Sequence, residues 1–63
     1  MNFYYLNEEA KRIIEECPDL ESEVLDFVQL AHSEVEEGGS ESHECELAIN
    51  DILELEKEYK LNK

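Results

Sequence analysis

Two interruptions, Pro18 and the Gly38-Gly39 pair, cut the chain into three stretches, and no other Pro or Gly occurs in it. Each stretch carries apolar residues at intervals of three and four, the period of an amphipathic helix. In the first, Phe3, Leu6, Ala10, Ile13, Ile14 and Cys17 form one stripe. Asn7 is a candidate N-cap with Glu8 and Glu9 in the first turn, but the stripe continues back to Phe3, so the helix is placed to include it. Cys17-Pro18-Asp19 ends this helix, because Pro disfavours helical backbone in the residue before it.

Asp19 then reads as the N-cap of a second helix running to about Glu37. Its main face is Leu20, Val24, Phe27, Val28, Ala31 and Val35. Leu25 and Leu30 fall outside that face on opposite sides, giving an apolar arc wider than a surface helix needs. Either this helix is central and touches both others, which is the simpler explanation, or one flank meets a partner. Gly38-Gly39-Ser40 is a stop followed by a start: Gly suits the left-handed position after a helix, and Ser40 or Ser42 can cap the next one. A third helix is expected from about Glu41 to Tyr59, burying Cys45, Ala48, Ile49, Ile52, Leu53, Leu55 and Tyr59. Leu47 and Leu61 lie off its stripe.

The short loop makes helices 2 and 3 antiparallel neighbours. The expected fold is all-α: a small three-helix bundle with a long helix 2/helix 3 hairpin and the shorter first helix across it. Residues 1–63 read as a single acidic helical domain. At 7.4 kDa it is near the lower size at which a core holds a chain together alone. High net charge is also a mark of disordered chains. The regular apolar spacing and the scarcity of Pro and Gly argue for a folded one.

Charge is the second constraint. Forty-four consecutive residues, Ile13 to Glu56, contain no Lys or Arg, while fifteen of them are Asp or Glu. The net charge of −13 makes the molecule repel itself, which destabilises the compact state. It has the wrong sign for direct binding to nucleic acid phosphates or anionic lipids. No apolar run approaches the ~20 residues needed to cross a bilayer, and the first residues lack the basic segment and small-residue cleavage site of a signal peptide. With nothing pointing to secretion, Cys17 and Cys45 are expected to be buried thiols and the setting cytoplasmic.

Candidate chemical sites fail on geometry. His32, His43, Cys17 and Cys45 are metal-ligating types, but residues i and i+2 of a helix diverge, so His43 and Cys45 cannot share an ion without unwinding the turn. Nucleophilic catalysis by a Cys–His pair needs a polar cleft of a few hundred Å³, and so short a chain has little room for one. There is no Gly-rich phosphate loop. An EF-hand needs alternating Asp or Asn around a central Gly, and Asp supplies only three of the eighteen acids. The chain therefore reads as a non-enzyme with no cofactor and no metal.

What remains is the acidic surface. Glu44, Asp51 and Glu58 recur every seven residues in helix 3, with Glu54 nearby, while Glu34, Glu36, Glu37 and Glu41 crowd the hairpin tip. Glu23, Asp26 and Glu37 form a comparable band in helix 2. Seven residues advance a helix by ~10.5 Å, close to three phosphate steps along a DNA strand, ~10.2 Å. Every amphipathic helix shares this spacing, so it permits such mimicry without specifying it. A surface built only to stay dispersed would mix both signs and place Glu four residues before Lys; from Ile13 to Glu56 no such pair exists.

In size, charge and its Glu-rich hairpin over residues 34 to 46, the chain resembles the small acidic early proteins of tailed bacteriophages. Some of those viral families are DNA mimics that inhibit host nucleases, restriction enzymes, CRISPR effectors or nucleoid proteins. The resemblance implies a phage protein acting in the host cytoplasm on a basic, nucleic-acid-binding partner. Glu34, Glu36, Glu37, Glu41, Glu44, Asp51, Glu54 and Glu58 are the candidate partner-binding residues, with Tyr4, Tyr5 and Leu47 as candidate apolar anchors. Two alternatives stay open: a protein-protein interaction or homodimeric assembly module whose charge is incidental, and adaptation to high salt.

Overall fold

Asn2 holds an extended backbone conformation and caps the first helix, its Oδ1 accepting the Tyr5 N–H at 2.9 Å. That satisfies one of the orphan donors of a helix start. It places the beginning of α1 (Phe3–Glu16) at Phe3 and leaves Asn7 inside the helix. The computed structural model describes residues 1–62 as an all-α three-helix bundle: α1, a 3₁₀ turn over Pro18–Leu20, α2 (Glu21–Glu36) and α3 (Glu41–Leu61).

Asp19 does not cap α2, as its position had suggested. Pro18 opens the 3₁₀ turn, where its missing N–H costs nothing, and the Leu20 N–H bonds back to the Cys17 carbonyl at 2.9 Å. This turn runs straight into α2, whose first backbone groups need no side-chain cap. Asp19 is thereby freed, and its Oδ2 accepts a hydrogen bond from Tyr59 Oη at 2.8 Å.

The other junction follows the sequence closely. Gly38 has φ +109°, a conformation that side-chain-bearing residues rarely adopt. The Gly38 N–H reaches the Val35 carbonyl at 3.0 Å and the Gly39 N–H reaches that of Glu34 at 2.9 Å. This pairing is the Schellman motif that closes a helix end. Ser40 then starts α3, its hydroxyl accepting the His43 N–H at 3.4 Å.

The helices run up, down and up. At one end the Phe3 N–H donates to Glu41 Oε2 at 3.0 Å, and at the other Lys60 Nζ lies 3.6 Å from Glu16 Oε1. The first helix therefore lies alongside α3 in the same direction, rather than across the hairpin. Leu6, Ile13, Val24, Cys45 and Ile52 are fully buried, drawing the core from all three helices. Burying each large aliphatic side chain contributes roughly 1.5–3 kcal/mol.

Two parts of the expected core stay outside. Leu53 is 41% exposed: the buried line of α3 runs through Ile49, Ile52 and Glu56, and Leu53 sits ~100° around the helix from Ile52. Leu25 and Leu30 also keep about half their surface (49% and 56%). Contact of α2 with both neighbours does not use up its wide apolar arc. Among the described residues, no helix is long and apolar enough to cross a membrane.

Candidate functional site

The electrostatics of the bundle are set by where its cations go. Arg12, one turn from the end of α1, pairs through Nε with Glu9 at 2.9 Å and through Nη1 with Glu16 at 2.8 Å. The same Nη1 lies 3.9 Å from Glu56 Oε2. Lys60 approaches that oxygen from the opposite side at 3.2 Å. Among the described residues, every ion pair joins Arg12 or Lys60 to Glu9, Glu16 or Glu56, along the seam between α1 and α3.

Ion pairing along this seam favours the charged form of its members. Glu9 and then Glu16 raise the Arg12 guanidinium above its ordinary value, and Arg12 in turn lowers the Glu16 carboxyl. The adjacent Glu56 carboxylate raises the Lys60 ammonium. Glu56 itself is the one buried charged residue among those described. Its Oε2 receives no well-aligned hydrogen bond, so the two cations are what compensate it. Glu56 was not among the candidate site residues. Its signal was present in its position, four residues after the core residue Ile52 and four before Lys60.

The opposite seam, between α2 and α3, has no such cations. Residues 21–36 contain no Lys or Arg, nor do residues 41–56. Here the two helices leave an open groove of about 140 Å³, walled by Phe27, Leu30 and Ala31 on α2 and by Leu47 and Ala48 on α3. Glu34, Glu44 and Asp51 border it. An apolar trough is thus edged by three carboxylates, with no Lys or Arg on α2 or on residues 41–56 of α3.

The eight candidate residues are distributed unevenly around it. Glu34, Glu44 and Asp51 are brought together at the groove. The seven-residue spacing keeps Glu58 on the same flank of α3 as Glu44 and Asp51, two turns beyond Asp51. Glu36 and Glu37 are exposed at the end of α2, and Glu54 is exposed on the outer side of α3. Glu41 faces elsewhere: its carboxylate is engaged with the first N–H of α1.

A second cleft, of about 380 Å³, lies between α1 and α2, with Lys11, Glu15, Glu21 and Leu25 among its walls. Its charges are mixed. Cys17 and Cys45 are free and buried, and burial pushes the Cys45 thiol up. His43 is exposed while Cys45 is inaccessible, as their divergent directions on a helix require. Of the anchor candidates, Tyr4, Tyr5 and Leu47 are all exposed, but only Leu47 borders the groove. Comparison with protein-family models, with curated proteins and with solved structures finds no match to this chain.

Proposed function

We propose that this chain is a non-enzymatic acidic binding protein that occupies the cationic surface of a nucleic-acid-binding protein. In its most specific form it is a phage-encoded DNA mimic that inhibits such a partner in the host cytoplasm. One observation carries this reading. The ion-paired Arg12 and Lys60 are committed to the α1/α3 seam, while the α2/α3 face holds its carboxylates with no cation of its own to meet them.

The mechanism is competitive occupation. Glu34, Glu44 and Asp51, with Glu58 further along and Glu36, Glu37 and Glu54 at the periphery, stand in for phosphates against Lys and Arg of the partner. Exposed ion pairs contribute only about 0–1 kcal/mol each, so binding rests on several of them together and is steeply dependent on salt. Direct contact with nucleic acid or membrane is not part of it.

The test uses host proteins retained on immobilised duplex DNA. The wild-type chain, added at low salt, is expected to elute a defined protein, and the variant Glu34→Gln, Glu44→Gln, Asp51→Asn at the same salt is expected to elute nothing. Elution of no protein at low salt contradicts the reading.

A second reading has its own support in Leu25 and Leu30, which stay half-exposed on both flanks of α2. A helical interaction or homodimeric assembly module would use them. Sedimentation of wild type and Leu25→Glu separates the two: a dimer lost in the variant favours assembly.

A further inference from the structure

We infer that the α2/α3 groove is the docking site for a cationic amphipathic helix of the partner, whose apolar stripe seats between Leu30 and Leu47 while its flanking Lys and Arg meet Glu34, Glu44 and Asp51. The inference rests on the acidic face being a binding surface, and it names what that face recognises.

Size excludes a small-molecule role. Small-molecule sites occupy ~300–1,000 Å³, and this groove, at about 140 Å³, has room for only a side chain or two. Shape and charge then select the occupant. Leu30 and Leu47 are 56% and 45% exposed on facing helices, and neither finds cover within the bundle. Exposed apolar surface rimmed by polar groups marks an interaction site. The rim here carries one sign only, because neither helix supplies a cation beside the groove.

Nucleic acid and a second copy of this chain would both bring negative charge to that rim. A helix with leucines on one face, at i and i+4, and lysines or arginines on either side of that face complements trough and rim together. Helix-in-groove recognition with anchors at i and i+4 has this form. The α1/α2 cleft supports no comparable commitment, since Lys11 sits there beside Glu15 and Glu21.

The inference separates two contributions that electrostatic mimicry alone would merge. Carboxylates bring the partner in and set the salt dependence. The apolar contact at the centre holds it and sets the dissociation rate.

The test is a binding titration against a synthetic amphipathic helix carrying two leucines four positions apart among lysines and arginines. A second peptide replaces both leucines by glutamine and keeps the charge. Wild type is expected to bind the leucine peptide on the order of tenfold more tightly, a difference worth ~1.4 kcal/mol. Leu30→Gln and Leu47→Gln are expected to erase that difference. Leu25→Gln, equally exposed but outside the groove, is expected to preserve it. All three sites are already solvent-facing, and circular dichroism checks that each variant stays folded.

Equal binding of both peptides overturns the groove inference while leaving the acidic reading intact. Failure of both to bind at low salt overturns both. A dimer that dissociates in Leu47→Gln overturns the inference by naming a second copy as the occupant.

Discussion

Tyr59 Oη donates a 2.8 Å hydrogen bond to Asp19 Oδ2, tying the last turns of α3 to the turn that separates α1 from α2. The two residues are forty positions apart in sequence. Because Asp19 bonds Tyr59 rather than the start of α2, removing either partner tests the fold's closure and not a helix cap. Tyr59→Phe is expected to lower stability by about 1 kcal/mol, within the usual range for a hydrogen bond. Asp19→Ala is expected to add little on top of it in a double-mutant cycle. Urea unfolding measures both. If the two effects simply add, the contact does not couple the sites.

Both loop glycines are expected to resist replacement, for different reasons. At φ +109° with nothing near the position of a Cβ, the cost of Gly38→Ala is purely conformational, about 1–2 kcal/mol. Gly39 is restricted differently: a Cβ there would lie 2.8 Å from the Glu34 carbonyl oxygen. Both substitutions are expected to lower the urea midpoint with an unchanged denaturant slope. Neutral behaviour of Gly38→Ala would show that the Schellman closure can relax.

Stability is expected to pass through a maximum on acidification. Between pH 7 and about 5, the self-repulsion of a chain of net charge −13 begins to fall, which favours the compact state. Glu16 works against this at lower pH. Arg12 holds its folded carboxyl below the ordinary 4.5, so this pair contributes fully above that value and is lost as pH falls through the folded one. Added salt is expected to raise the melting temperature at pH 7, since ~0.1 M already shortens the screening length to about 10 Å. Thermal melts over pH and salt check both signs. A melting temperature flat in both would mean the carboxylates do not feel one another.

Much of this architecture could be read from residues alone. Pro18, Gly38 and Ser40 act through backbone geometry, which is local, and the helix divisions they imply are those of the bundle. In the first stripe Leu6, Ala10, Ile13 and Cys17 are buried, and Phe3 and Ile14 pack partly buried against them. What could not be read depends on partners distant in sequence. Asp19 looked like a cap until Tyr59 claimed it. Leu53 looked buried, but the covered face of α3 runs through Ile49, Ile52 and Glu56 instead. That Glu41, one of the candidate partner-binding acids, also accepts the first N–H of α1 could not be read from its neighbours. Of the candidate site, the charge was legible, but its concentration around an apolar trough needed the pairing of α2 with α3.

The thiols give an independent check on packing. Cys45 is fully inaccessible and its thiol is pushed up by burial, so little reactive thiolate is available. Both cysteines are expected to react with a thiol reagent only as fast as the bundle opens, and at once in denaturant. Rapid labelling of the native protein would contradict a core built across Cys45.

The most direct measurement is displacement of duplex DNA from a basic partner by wild type and by a triple variant, Glu34→Gln, Glu44→Gln and Asp51→Asn. Wild type is expected to displace the DNA at low salt, with an apparent affinity that falls steeply as salt rises. The folded triple variant is expected to lose on the order of tenfold, since three exposed pairs at about 0.5 kcal/mol each sum to roughly 1.4 kcal/mol. Undiminished displacement by the triple variant, or an affinity indifferent to salt, would contradict the claim that this face acts through its charge.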